Sequence, residues 1–340
     1  MTKDMMRACM MTTYGGPDAA ALRDVPRPVA GPGQVLVRVR AAGLNPVDFK
    51  IRQGMLKVIQ KYPMPAVMGN ELAGEVVDCG PGVTGFARGD RVFARTPKDA
   101  MGAFAEYAAL PVEVLAPMPA SVDFVTAAGV PLAGLTAVQA LRDELALRAG
   151  GRVFISGGAG GVGSFAIPLA KWMGAWVATT ASPRGRALVE RLGADQIIDY
   201  TSENFSDLLG DLDAAFDLIG GDTLMQTFSI MRPGGTVVSI AGMPEPVTAR
   251  KDLGRGPVMA ALFWLVSRKI RAGAARAGVR YRYLFMHPSG PDLALLAGLI
   301  DDGVLHPVID RVFPFDQIAD AMAYLETGRA KGKVVVQMPG

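Results

Sequence analysis

Apolar and polar residues alternate in short stretches through the first 120 residues. In QVLVRVRAAG (34–43), apolar side chains recur at nearly every second position, the period of a half-buried strand. AGEVVDCGPGV, GDRVFAR and GAFAEYAAL continue the pattern, with Gly and Pro between the runs. The pattern predicts a compact, mostly β domain. From about residue 121 the rhythm changes. SVDFVTAAGVPLAGLTAVQAL reads as a helical stretch, and strands and helices then alternate. RVFIS, AWVATT, QIID, AAFDLIG and GTVVSIAG are strands, and the segments between them carry helical periodicity. Such a βαβαβ order predicts a parallel, doubly wound sheet with right-handed crossovers, giving an α/β protein. After Gly242 the alternation stops for about forty residues. A strand-like YRYLFM (281–286) then returns, followed by a helix, and the tail reads strand, helix, strand.

The first strand of the alternating region runs into GGAGGVG. Gly158, Gly160 and Gly163 keep the G-x-G-x-x-G spacing, after a buried strand ending at Ser156 and at the start of a helix. Glycines there permit a tight turn and let the backbone approach a pyrophosphate. The N–H groups at Gly161, Val162 and the helix start then face the anion. An NAD site places an acidic side chain at the end of the second strand, against the ribose 2′-hydroxyl. No acid occurs from Ser156 to Arg186, and the loop reads ASPRGR. Ser182, Arg184 and Arg186 suit a 2′-phosphate, which a carboxylate would repel, so NADPH is expected over NADH. The same two arginines also suit a solvated helix start. Ile219 closes the fourth strand, and Ala241 and Gly242 the fifth. These ends are expected to face the cofactor, because ligands bind at the carboxyl ends of parallel strands.

The length of 340 residues is consistent with two domains. Lys and Arg number 35 against 32 Asp and Glu, a net charge of +3 that implies no nucleic acid by itself. Two cysteines (Cys9, Cys79) and two histidines (His287, His306) are too few for most zinc sites and for a disulfide scaffold, and fit a reducing compartment. The start, MTKDMMRACMMTTYGG, lacks a continuous apolar run, so no secretory leader is expected. VMAALFWLV (258–266) is too short to span a bilayer. A cytoplasmic protein is the expectation.

AAGLNPVDFKIRQG, GNELAGEVVDCGPGVTGFARGDRVFA, AAGVPLAGLTAVQAL, the glycine loop and GRAKGKVVV together resemble the medium-chain dehydrogenase/reductase superfamily, and within it the zinc-free quinone oxidoreductase and enone reductase branch. The resemblance implies a GroES-like catalytic domain (1–125 and 305–340) around a Rossmann coenzyme domain (126–304). Zinc-dependent members carry Cys where this chain has Asn45, and G-H-E where it has Gly69-Asn70-Glu71, so no metal is implied. The branch reduces quinones or α,β-unsaturated carbonyls with NADPH. Charge on a conjugated oxygen then needs only hydrogen-bond donors and a proton.

By the same resemblance Asn45 and Thr136 line the nicotinamide, Lys50 contacts the cofactor, Tyr200 sits beside the adenosine phosphate, and Lys333 lies near the cofactor phosphates. Asn45, Lys50, Thr136 and Lys333 each have an ordinary structural role open as well: a turn cap, a surface charge, a helix-interior Thr and a strand flank. Tyr62 is placed at the substrate cleft, as a proton donor or as packing. Glu71 has no assigned role.

Residues 253–291 hold seven basic side chains and no acid. GPVMAALFWLVSRKIRAG reads as an amphipathic helix, over the cleft, in a dimer or on a membrane surface. An enoyl-thioester reductase and a non-catalytic NADPH-binding sensor or membrane-associated interaction protein stay open as alternatives; nucleic-acid binding is a weaker one. A homodimer through the edge strand near residues 281–286 is expected.

Overall fold

The computed structural model describes residues 4–339; the first three residues and residue 340, which the expected catalytic domain includes, lie outside the described residues. The chain divides at Leu135/Thr136 and again at His287/Pro288, against the expected 125 and 305. The helix Gly290–Asp301 therefore groups with the β-rich unit. It packs on the strand Leu115–Pro117, and its Asp301 carboxylate accepts from the N–H groups of Ala120 and Ser121.

In the β-rich unit the long strand Gln34–Leu44 is central. It pairs antiparallel with Glu71–Cys79, Tyr107–Pro111 and Lys333–Gln337. Val35, Val37 and Val39 are buried and Arg38 and Arg40 half-buried, as the alternation predicts. From Ala41 to Leu44 every residue is buried, because the helix Phe124–Ala128 covers this end of the strand and of its neighbour Glu71–Cys79. Gly43 faces Glu71 in the ladder. A Cβ on Gly43 would lie 2.3 Å from Glu71 Oε1 and 2.5 Å from Ala128 O, so only glycine admits the carboxylate. The register also brings the starts of Glu71–Cys79 and Lys333–Gln337 beside the end of Gln34–Leu44.

In the second unit six parallel strands form one sheet: Arg152–Ile155, Trp176–Ala181, Gln196–Asp199, Leu212–Asp217, Met231–Ser239 and Arg280–Tyr283. Numbered in chain order they lie as 3-2-1-4-5-6, the doubly wound dinucleotide-binding order, with the reversal between first and fourth. Phe154 stacks on Phe205 at 4.8 Å between ring centres, and Leu212, Leu224 and Val237 complete the core on that side.

Three elements differ from the sequence pattern. The helical stretch 121–141 is broken into Phe124–Ala128 and Pro131–Val138, because the residue before a proline avoids the helical region and Pro131 has no N–H to donate. The basic segment is two helices, Pro257–Val266 and Arg268–Arg276. They part at Ser267, whose hydroxyl donates to Phe263 O at 2.5 Å. The last strand of the sheet ends at Tyr283 because the N–H of Phe285 turns to Asp252 Oδ2 at 3.0 Å.

Candidate functional site

The glycine loop sits where the first strand of the parallel sheet ends and the helix Gly163–Trp172 begins. Gly157 carries the positive φ of the turn, +69°, and its N–H donates to Thr180 Oγ1 at 2.9 Å. Gly158 presses on the second strand: a Cβ there would be 2.3 Å from Thr179 Oγ1. Gly163 packs under the loop, where a Cβ would meet Gly158 O at 2.6 Å and Gly157 O at 2.7 Å. A Cβ on Gly160 would lie 3.3 Å from Gly157 O, a tight contact though less severe than at the other two. All three fingerprint glycines thus let backbone pack closely on the loop and its neighbouring strand. Gly161 and Val162 form the turn into the helix.

Ile219 comes to the same place: its Cδ1 would lie 2.9 Å from a Cβ on Gly157, and the residue is 57% exposed. It is held there by Asp217, a fully buried carboxylate that the sequence reading passed over. Asp217 accepts from Ser156 Oγ (3.2 Å), Ser239 Oγ (2.7 Å) and the N–H groups of Ile219 (3.2 Å) and Gly220 (3.0 Å). Ser239 Oγ in turn accepts from the N–H groups of Ala241 and Gly242. Ser156, Ile219, Ala241 and Gly242 are therefore tied by one carboxylate across three strand ends. An acid inside the apolar run AAFDLIG was the available signal, since a charge in a buried strand requires several donors.

Beyond the second strand, Ser182 starts the helix Pro183–Arg191 with no cap bond from its side chain, and Arg184 is exposed. Arg186 is paired with Glu190 at 3.0 Å. Tyr200 follows the third strand and is 57% exposed. Thr136 is buried in the helix Pro131–Val138.

A second cluster forms in the β-rich unit, where the three strand ends converge. Asn45 Nδ2 donates to Glu71 Oε1 at 2.6 Å, and Asn45 Oδ1 accepts from Lys333 Nζ. Lys333 Nζ also donates to Glu71 Oε1 (2.7 Å) and to Leu44 O (3.2 Å). Glu71 Oε2 accepts from Leu132 N at 2.6 Å. Both charged side chains are almost wholly buried, 0% and 3% exposed. Lys333, for which the sequence leaves open both a place near the phosphates and a flank of the last strand, is a buried counter-ion that fixes the amide of Asn45. Beside it Asp48 accepts from Asn45 N (2.7 Å) and Asn70 Nδ2 (2.6 Å). Burial pushes the Asp48 carboxyl up to about 7 against the opposing pull of these bonds and of Lys333. Asn70 Oδ1 is buried without a partner.

The donor set does not fit zinc. An amide stands at the Cys position, an amide at the His position, and the carboxylate between them already holds an ammonium. Among the described residues no group of three or more His, Cys, Asp or Glu gathers in a metal-holding arrangement.

Lys50 is half-buried on the helix Pro46–Arg52. Tyr62 is not brought into the Asn45 cluster by any hydrogen bond. Its hydroxyl donates to Lys98 O at 2.8 Å, its N–H donates to Tyr14 Oη at 3.0 Å, and burial pushes the phenol up to about 12. No helix among the described residues is long and apolar enough to cross a membrane.

Residues 31–120 match the alcohol dehydrogenase GroES-like domain, and residues 192–336 match the zinc-binding dehydrogenase family. The chain is 38% identical to the chloroplastic NADPH-dependent alkenal/one oxidoreductase of Arabidopsis thaliana, over 97% of this chain and 79% of that protein. Its fold superimposes on a quinone oxidoreductase from Coxiella burnetii with a TM-score of 0.85 and 31% identity, covering 99% and 100% of the two chains. A mycobacterial protein complexed with NADPH aligns with a TM-score of 0.80 and 27% identity, over 98% and 99% of the chains.

Proposed function

This chain belongs to the zinc-free quinone oxidoreductase and enone reductase branch of the medium-chain dehydrogenase/reductase superfamily, and we propose from that premise that it reduces quinones or α,β-unsaturated carbonyls with NADPH. The observation that carries the reading is the glycine turn at the switch point of a 3-2-1-4-5-6 sheet. When bound, NADPH supplies a hydride to an electron-poor carbon or to a quinone.

The chain's own residues then have separable tasks. The N–H groups of Gly161, Val162 and Gly163, at the helix start, bind the pyrophosphate, those of Gly158 and Gly160 being bonded to Thr180 O and Gly157 O. Ser182 and Arg184 hold the 2′-phosphate, supported by the absence of any acid between Ser156 and Arg186. Arg186 contributes less, because Glu190 already engages it. Tyr200 flanks the adenosine, and Ile219, Ala241 and Gly242 border the nucleotide. Thr136 and Lys50 contact the nicotinamide end.

Asn45 stabilises the charge that develops on the acceptor oxygen. One amide hydrogen is bound by Glu71, which leaves the other to donate. Lys333 and Glu71 hold that amide in one orientation, since swapping its O and N would set the NH2 against an ammonium. The enolate or quinolate takes its proton from water, because the Tyr62 hydroxyl hydrogen is bound to Lys98 O and no hydrogen bond brings it to the Asn45 cluster. The open outer edge of Arg280–Tyr283 supports a homodimer.

The test follows oxidation of NADPH, and in parallel NADH, with a naphthoquinone, 9,10-phenanthrenequinone, an alkyl vinyl ketone and a crotonyl thioester. Turnover of a quinone or the vinyl ketone with NADPH preferred is the expected result. Preference for the thioester would replace the reading with an enoyl-thioester reductase, and silence on all four despite tight NADPH binding would replace it with a sensor.

A further inference from the structure

The helix Pro257–Val266 has two unlike sides. Ala260 and Phe263 are buried against the parallel-sheet unit. The side turned outward is apolar throughout. Val258 is 84% exposed, Trp264 52% and Leu265 59%, with Ala261, Leu262 and Val266 beside them. Spacings of three, four and seven residues put Val258, Ala261, Leu262 and Leu265 in one stripe. A globular surface does not ordinarily leave such a stripe bare.

The rim of the stripe is basic. Arg255 precedes the helix, and Arg268, Lys269, Arg271 and Arg276 follow it in Arg268–Arg276. None of the five makes an ion pair among the described residues, and residues 253–291 contain no acid to supply one. Arg271 lies 5.2 Å from the centre of the Trp264 ring and donates to Trp264 O, bringing cation and aromatic to the same side. The segment's remaining acid is withdrawn from the surface. Asp252 is bound to Arg282 at 2.5 Å, in a buried cluster where Arg282 also meets Glu144 and Glu245. That cluster fastens the root of the segment to the sheet.

We propose that this face docks the protein on an anionic lipid bilayer, the apolar stripe entering the headgroup boundary and the basic rim meeting lipid phosphates. Charge complementarity selects the occupant. A second copy joined by two-fold symmetry would set this patch against itself, facing five cations with five cations and no carboxylate between them. A half-exposed Trp at the rim suits an interface that is apolar on one side and wet on the other. This inference is independent of the acceptor reduced.

The test is co-sedimentation of the full chain with phosphatidylcholine vesicles and with vesicles containing a quarter phosphatidylglycerol, at low and high salt. Binding to the anionic vesicles, weakened by salt, is expected. Two surface variants, Arg268→Glu with Lys269→Glu and Leu262→Ser with Leu265→Ser, each lower the bound fraction by about tenfold while melting stays as in the parent. The variants alter different residues, so a folding defect in one leaves the other to decide. The proposal is overturned if the parent chain fails to pellet with anionic vesicles, or if both variants pellet like the parent. It is also overturned if the variants instead dissociate a dimer, which would show the face covered by a second copy.

Discussion

Replacing Lys333 by Met tests whether the buried ion pair holds the catalytic unit together. The substitution keeps the aliphatic stem and removes an ammonium that donates to Glu71 Oε1, Asn45 Oδ1 and Leu44 O. Glu71, 0% exposed, is left charged and without its cation. Removing one partner of such a pair costs about 3–5 kcal/mol. Glu71 retains the bonds from Asn45 Nδ2 and Leu132 N, which places this case near the lower end, about 3 kcal/mol. At roughly 2–4 °C per kcal/mol, the transition of this unit falls by about 6–12 °C in scanning calorimetry. Adding Glu71→Gln to Lys333→Met removes the stranded charge, and more than half of the loss returns. A Lys333→Met protein that melts within about 2 °C of the parent refutes the argument, as does a double variant whose loss is the sum of the singles.

Arg184→Ala removes a charge-assisted contact of about 2 kcal/mol, so the KM for NADPH rises roughly thirty-fold while that for NADH is unchanged, measured by steady-state kinetics with each cofactor. Gly160→Ala puts a Cβ 3.3 Å from Gly157 O, a tight contact that lowers melting slightly while weakening nucleotide binding in titration calorimetry. Gly163→Ala, whose Cβ falls 2.6 Å from Gly158 O, lowers stability as well, by about 1–3 kcal/mol. For Asp48 the folded-state value of about 7 lies above the ordinary 3.8, so the site favours the neutral acid. The stability this gives is complete below pH 3.8 and is lost as pH rises through about 7. The melting temperature of the parent relative to Asp48→Asn accordingly drops across that window, and a flat difference contradicts it.

The alternation of strands and helices in the parallel sheet and the glycine turn were legible because both are local. Apolar runs end at Ser156, Thr180 and Ile219, and the G-x-G-x-x-G spacing lies within one turn. The partners of Asn45 were not legible. Glu71 and Lys333 lie 26 and 288 residues away from it, and only the antiparallel register makes them neighbours. For Lys333 the flanking motif leaves a phosphate contact and a flank of the last strand both open, and its own strand turns it inward. Asp217 was hidden for a related reason: its donors come from the ends of two other strands and from the turn that follows its own. The break at Ser267 is a different failure, since VSRKIR continues helical periodicity and a serine within such a run does not by itself require a stop.

The knot around Asp217 also bears on the thermodynamics of ligand capture. Loops that must be ordered by a ligand subtract conformational entropy from its affinity. Here Ser156, Ile219 and Gly220 are anchored to one carboxylate, and Ala241 and Gly242 reach it through Ser239, before anything arrives. A nucleotide settling on these strand ends immobilises little backbone. Its binding heat capacity then reports buried surface alone, without the larger negative excess that accompanies coupled folding. The rigidity sits in the protein's own hydrogen bonds, so the enzyme gives up the nucleotide without unravelling the floor on which the next one lands.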